Sequence, residues 1–254
     1  MRQSRFLPLW RRVLFVDWHG VLSVDPFWTS ILQSSTHPLR SQLHAKLCEI
    51  FSRKFITDEW MKGSRSSEEI ISAMGIWLDR RFRQDFLTRR LRDDCSHMRV
   101  NVELCELLRN VKSRTFVVLA TDNMDCFART FDEARNGRRL GKQRTETLIT
   151  FAMLCDDILC SSEIGALKAE NPVNFFGAWL FEHGLRFSNA LLVDDRADNC
   201  AAFRQHGGSA IQWKMGKSEV SELARSLNRW LNDSLPTADL MPPEKMDDRK
   251  PMKR

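Results

Sequence analysis

A chain of 254 residues with 43% hydrophobic and 28% charged side chains, 11 glycines and 8 prolines has an ordinary globular composition and enough length to bury a sizeable core. This excludes a disulfide-stapled miniprotein, a collagen-like or coiled-coil rod, and disorder of the whole chain. The 39 basic residues outnumber the 33 acidic ones by six, which suits an anionic ligand; no basic helical stripe or aromatic-basic repeat accompanies them, so nucleic acid is not the expected partner. Part of the excess lies in Arg2, Arg5, Arg11 and Arg12, and part in Arg135, Arg138, Arg139, Lys142 and Arg144; both read as solvated segments.

In chain order, the first element is Val13 to Val16, a fully apolar, β-branched-rich run that predicts a buried strand and stops at Asp17-Trp18-His19-Gly20. About seventy-five residues without a convincing strand follow. They include apolar segments from Phe27 to Leu32 and Leu39 to Phe51. A helix is predicted from Ser66, capped by Glu69, with Ile70, Ile71, Met74, Trp77 and Leu78 as its apolar stripe. This block is too long for a simple crossover and reads as a helical insertion over residues 25–98.

Residues 1–24 and 99–232 then form the core. Asn101 to Val111 is helical, Thr115 to Ala120 is a strand ending in Thr121-Asp122-Asn123, and Asn171-Pro172 opens a helix that Gly184 stops. Ala190 to Val193 is a strand ending in Asp194-Asp195; weaker strands are read at 157–160 and 209–213. Val220, Leu223, Leu227, Trp230 and Leu231 mark a closing amphipathic helix. Residues 233–254 are Pro-rich and dense in both charges, and read as a disordered tail. Apolar strands alternating with helices predict an α/β fold, a three-layer Rossmann-like core with a mostly parallel sheet.

Seven cysteines (Cys48, Cys95, Cys105, Cys126, Cys155, Cys160 and Cys200) show no C-x-x-C pair. They suggest neither a disulfide framework nor a zinc site, and a reducing, cytoplasmic setting is expected. The run at 13–16 is too short for a signal-peptide core, and no segment has the length to cross a bilayer, so no membrane partner is expected. The other histidines form no ligand spacing. Trp28, Trp60, Trp77, Trp179 and Phe175-Phe176 read as core or as packing between the insertion and the core, and Trp18 is open to either role.

Ligands of an open parallel sheet sit beyond the carboxyl ends of its strands, so Asp17, His19, Thr121, Asp122, Asn123, Asp194 and Asp195 are the residues to inspect. Carboxylates converging there repel one another unless a cation joins them, and hard oxygen donors suit Mg²⁺. The combination of strand-Asp17-x-His19-Gly20, strand-Thr121, Lys168 within Ile164-Gly165-x-x-Lys168, and strand-Asp194-Asp195-x-x-x-Asn199 resembles, in order and spacing over about residues 11–215, the four motifs of the haloacid dehalogenase-like hydrolase superfamily.

The resemblance implies a Mg²⁺-dependent phosphatase acting on a small phosphorylated molecule. Asp17 would be the nucleophile that forms an aspartyl-phosphate, Thr121 would bond a phosphoryl oxygen, and Lys168 would neutralise nucleophile and phosphoryl charge. Asp122 and Asn123 join Thr121 and Lys168 as substrate-binding candidates. Asp17, the His19 backbone carbonyl, Asp194 and Asp195 would hold the metal. The insertion sits where this family places a C1-type cap, and its basic residues (Arg40, Lys46, Arg53, Lys54, Lys62, Arg65 and the arginines from 80 to 92) favour an anionic substrate.

His19 departs from the pattern, because the family's phosphatases usually carry a second aspartate there as general acid-base. Imidazole changes charge near neutral pH and could take that role. The family's dehalogenases also lack this aspartate but usually lose one acid of the Asp194-Asp195 pair, which is intact here. Phosphonoacetaldehyde hydrolases have a similar Asp-Trp-x-Gly opening and use a cap lysine, which singles out Lys46, Lys54 and Lys62. A fold kept for binding or regulation without turnover is the remaining alternative.

Overall fold

The structure, a computed structural model, describes residues 12–136 and 147–233. Arg2, Arg5, Arg11, Arg138, Arg139, Lys142, Arg144 and the tail from residue 234 lie outside the described residues. The chain runs β1 (Val13–Val16), then α1 (Thr29–Leu32), α2 (Arg40–Ser52), α3 (Lys54–Met61), α4 (Ser67–Ala73) and α5 (Phe86–Ser96). It continues with α6 (Val102–Val111), β2 (Phe116–Thr121), α7 (Asp125–Arg135), α8 (Leu148–Leu154), β3 (Asp157–Cys160) and α9 (Ser161–Ile164). Last come α10 (Pro172–Glu182), β4 (Ala190–Asp194), α11 (Ala197–Gln205), β5 (Ser209–Gln212) and α12 (Val220–Asn232).

The five strands form one parallel sheet in the order β3-β2-β1-β4-β5. Side chains alternate across it. Leu14, Val16, Val117, Leu119, Leu191 and Val193 join one apolar cluster with α6, α7, α8 and α12. Val13, Phe15, Val118, Ala120 and Leu192 join another with Phe175, Phe176, Trp179 and Leu180 of α10 and Phe203 of α11. Both faces are covered, which is why the three central strands read as unbroken apolar runs. The edge strands β3 and β5 are partly exposed, and their sequence signal is correspondingly weaker.

Helices α1 to α5 occupy the stretch between β1 and α6, and their buried Leu43, Leu47, Trp60, Ile70, Leu87 and Leu91 belong to the same cluster as the α6–α8 side of the sheet. The capping box of Ser66 and Glu69 is present. Its helix is shorter than the apolar spacing predicts: Gly75 takes a left-handed conformation (φ 61°) that ends the helix. Trp77, expected in a packed interface, therefore lies 72% exposed. Helix α5 escaped sequence reading because its buried stripe of Leu87, Leu91 and Cys95 is narrow and embedded among arginines. Arg12 also departs from expectation. It is buried, lies over the Trp230 ring and donates to the Trp230 and Asp233 carbonyls, so it ties the start of β1 to α12.

The two chain crossings between sheet and insertion are clasped by an ion pair. Asp25 accepts from the Arg99 backbone N–H (2.8 Å), Nε (3.1 Å) and Nη2 (2.6 Å). Burial opposes ionisation of Asp25, but its bonds to Arg99 and that residue's charge outweigh it and hold the carboxyl below the usual carboxylate range. A lowered folded value means stability that is present above the unfolded value and lost as pH falls through the folded one. Because Arg99 is largely exposed, Asp25→Asn should cost only about 1–2 kcal/mol at pH 7. In urea denaturation the gap to wild type should stay constant above pH ~5 and close below pH ~4; a gap that widens in acid would contradict the assignment.

Candidate active site

Strand order reverses beside β1, since the chain goes from β1 through β2 to β3 on one side and returns as β4 and β5 on the other. That is where the carboxyl ends of two strands part and a ligand crevice opens. Val16 is in register with Val193, so Asp17 and Asp194 leave neighbouring strands side by side, and the Asp17 N–H donates to Val193 O (2.9 Å).

Lys168, on the loop between α9 and α10, reaches both. Its ammonium is buried and its three donors are all used, to Asp194 Oδ2 (2.6 Å), Asp17 Oδ1 (2.9 Å) and Ala120 O (3.1 Å). The Lys168 backbone N–H is held by Asp122 Oδ1 (2.9 Å). Burial works against the charged ammonium, yet Asp17 and Asp194 more than compensate and raise it above the ordinary lysine value. Asp194 is held in place: besides Lys168 it accepts from the Arg196 N–H (2.9 Å) and from Asn199 Nδ2 at both oxygens (3.1 Å each). Asn199 appeared in the sequence only as the end of a spacing; its work is to orient Asp194.

Asp17 and Asp195 are less settled. Asp17 Oδ1 accepts from the Trp18 N–H (2.8 Å) and Lys168, while Oδ2 makes no hydrogen bond among the described residues. Burial, opposed by Lys168 and reinforced by Asp194, pushes the Asp17 carboxyl up to about 7. Burial and the charge of Asp194 likewise raise Asp195, and burial raises Asp122. One oxygen from each of Asp17, Asp194 and Asp195 lies within 4.8 Å of the others. With only the Lys168 ammonium clasped between them, these hard-oxygen donors retain excess negative charge at neutral pH, which fits a divalent cation of the Mg²⁺ class.

Gly20 is required here twice over. Its φ is +82°, and a Cβ on it would lie 2.4 Å from Asp195 Oδ2, so any side chain would displace the carboxylate. His19 is exposed at the mouth of the site. Thr121 is buried at the end of β2. The Asn123 side chain is engaged locally, accepting from the Met124 N–H (3.0 Å). Trp18, open to two roles in the sequence, is buried in the core against Phe127 and Phe151 at centroid distances of 5.2 and 5.9 Å.

His19, Asp122 and Asn123 also form one end of a cavity of about 470 Å³ whose other walls come from the helical insertion. The insertion is fastened to the core around it. Ser161 Oγ donates to Met61 O (2.6 Å), Lys62 pairs with Glu170 (2.5 Å), and Gly63 sits where a Cβ would meet Ser162 O at 2.0 Å. Several of the basic insertion residues expected to favour an anionic substrate are engaged in ion pairs. Lys46 and Arg53 pair with Glu49, Arg65 with Glu59, Arg81 with Asp79, Arg89 with Asp85 and Arg92 with Glu133. Among the described residues no lysine or arginine lines the cavity, Lys46, Lys54 and Lys62 included, so none of these three stands where a Schiff-base lysine would meet a ligand bound there.

Comparison of the sequence with protein-family models and with curated proteins gives no significant match. The fold does find relatives. A predicted HAD-like family hydrolase from Porphyromonas gingivalis is similar with TM-score 0.60 and 17% identity, over 85% of this chain and 97% of that one. An HAD family enzyme from Bacteroides thetaiotaomicron, solved with magnesium and inorganic phosphate, gives TM-score 0.56 and 16% identity over 84% and 98%. An L-2-haloacid dehalogenase gives TM-score 0.58 and 14% identity over 86% and 99%. The architecture is thus an α/β fold of the kind found in haloacid dehalogenase-like hydrolases.

Proposed function

We propose that this protein is a Mg²⁺-dependent hydrolase of small phosphate monoesters that works through an aspartyl-phosphate on Asp17. The observation that carries the reading is the clasp of one ammonium, Lys168, between Asp17 and Asp194 at the sheet's switch point, with Asp195 beside them. The Bacteroides thetaiotaomicron relative solved with magnesium and inorganic phosphate supports the same chemistry.

Asp17, Asp194 and Asp195, with the His19 carbonyl, are the groups that would hold Mg²⁺, whose charge would neutralise phosphoryl oxygens and the carboxylates together. Asp17 Oδ2 attacks phosphorus as the ester P–O bond breaks, and the leaving alkoxide takes a proton from the His19 imidazolium. Neutral His19 then accepts a proton from water, which attacks phosphorus, releases inorganic phosphate and restores the Asp17 carboxylate. Lys168 stays fixed beside the nucleophile and counters charge gathering on the phosphoryl group. Thr121 supplies a hydroxyl at the end of β2 for a phosphoryl oxygen. Residues 25–98 serve as a cap that walls the leaving group from solvent.

Formation of a beryllium fluoride adduct in the folded protein with Mg²⁺, read by ¹⁹F NMR, alongside release of phosphate from acetyl phosphate, tests the reading. No adduct and no release would leave a non-catalytic binding protein, and halide release from a 2-haloacid without metal would move the assignment to dehalogenation. The role of His19 is checked separately: His19→Ala should lose at least tenfold on an alkyl phosphate with a poor leaving group and far less on acetyl phosphate, while His19→Asp retains both. Equal losses on the two substrates would remove the acid-base assignment.

Metal binding has its own readout. At a hundredfold excess over its dissociation constant, Mg²⁺ should stabilise the fold by about 2.7 kcal/mol, or roughly 5–10 °C in Tm. Asp195→Asn should abolish that rise with little change in EDTA, because Asp195 makes no ion pair with Lys168. A rise of equal size in the variant would take Asp195 out of the site.

A further inference from the structure

We propose that the cavity beside the site receives an uncharged aromatic or bulky apolar leaving group, so that the substrate is a phosphate monoester of an apolar alcohol and not a sugar phosphate or a nucleotide. This rests on the hydrolase reading above and gives it a substrate class.

The walls supplied by the insertion include Phe27, Trp28, Leu47, Phe51, Trp60 and Met61. The two indoles offer carbon only, since Trp28 Nε1 donates to Leu87 O (2.8 Å) and Trp60 Nε1 to Ser67 Oγ (3.0 Å), both buried bonds. Trp28 and Trp60 lie 6.4 Å apart by ring centroid, and Phe51 stacks on Trp60 at 6.3 Å with 19° between the planes. Trp28 holds a left-handed backbone conformation, φ 53°, the one non-glycine residue among the described residues to do so. For a bulky side chain that is strained, and such strain persists where surrounding structure fixes the ring in place.

A sugar or a nucleoside needs hydrogen-bond partners for its hydroxyls, and a second phosphate needs cations. Among the described residues no lysine or arginine lines the cavity, and Lys46, Arg53 and Arg65 of the insertion are engaged in ion pairs with Glu49 and Glu59. Its polar members from the insertion are His44 and Cys48, one turn apart on α2, with Cys48 Sγ 3.8 Å from His44 Nδ1. At about 470 Å³ the space falls within the range of small-molecule sites, roughly 300–1,000 Å³. The phosphoryl end would lie toward His19, Asp122 and Asn123, where the cavity meets the ends of β1 and β2.

Cys48 provides a reporter that does not depend on turnover. It is exposed, whereas the other six cysteines are buried, so N-ethylmaleimide should label it first, as peptide mapping would confirm. With Mg²⁺ present, 1-naphthol and 1-naphthyl phosphate should slow labelling at least fivefold and glucose 6-phosphate should not. In turnover, 1-naphthyl phosphate should exceed glucose 6-phosphate at least tenfold in kcat/KM. Phe51→Arg, at a position already 46% exposed, should raise KM for 1-naphthyl phosphate about tenfold. Phe55→Arg, 74% exposed and outside the cavity, should leave KM unchanged.

Equal turnover of the two esters, or no protection of Cys48 by 1-naphthol, overturns the inference. If acetyl phosphate is hydrolysed in that case, the hydrolase reading survives without it. Protection of Cys48 by 1-naphthol in a protein that hydrolyses no phosphate compound upholds the apolar cavity and sinks the hydrolase reading instead.

Discussion

Replacing Lys168 by methionine is expected to destabilise the protein by about 3–5 kcal/mol, the usual result of removing one partner from a buried ion pair. The side chains of Lys168 and Asp194 are 1% and 0% exposed, and Asp17 is 8%. Methionine fills much the same volume, so the loss comes from charge and hydrogen bonding and not from a cavity. Two carboxylates would face each other without a counter-ion, and Ala120 O would lose its donor. Equilibrium denaturation in EDTA at pH 8 measures the effect. The loss should shrink by at least a third in an Asp17→Asn background, because the two substitutions act on one cluster and are not additive. Full additivity, or a loss below about 1 kcal/mol, would mean that the clasp does not organise the site.

Asp17→Asn should separate activity from stability in opposite directions. Turnover of any phosphate ester should fall at least a thousandfold, since an amide is a poor nucleophile at phosphorus and no other carboxylate occupies its place. Stability in EDTA at pH 8 should rise by on the order of 1–3 kcal/mol, because burial and Asp194 disfavour the ionised form of Asp17 and the amide carries no charge. The variant should keep the hydrogen bond from the Trp18 N–H through its amide oxygen. A protein destabilised by this change, with activity retained, would show Asp17 to be a structural partner of Lys168 and nothing more. Functional sites commonly carry such a cost in stability, and its removal is the signature sought here.

The acidic strand ends were legible in the sequence because a parallel sheet covered on both faces forces long apolar runs, and the first polar residue after each run marks the rim. Asp17, Thr121, Asp194 and Asp195 could be found on that ground alone, whereas Lys168 was singled out only by the resemblance to the haloacid dehalogenase-like motifs. Local chemistry likewise announced the Ser66 capping box and the Asn171-Pro172 helix start, since each depends on residues within one turn.

What the sequence by itself determined, then, was the α/β order of elements, the strand-free stretch after β1 and the set of polar residues at one rim of the sheet; these follow from short-range pattern and from burial on two faces. Only the tertiary structure decided how they are used. It paired Lys46, Arg53, Arg65, Arg81, Arg89 and Arg92 with acids, sent Trp18 and Arg12 into the core, left Trp77 in solvent, and brought Phe27, Trp28, Phe51 and Trp60 around a cavity beside His19 and Asp122. Those outcomes depend on contacts between residues far apart in the chain, where a lysine count or an aromatic spacing carries no information about which neighbour arrives.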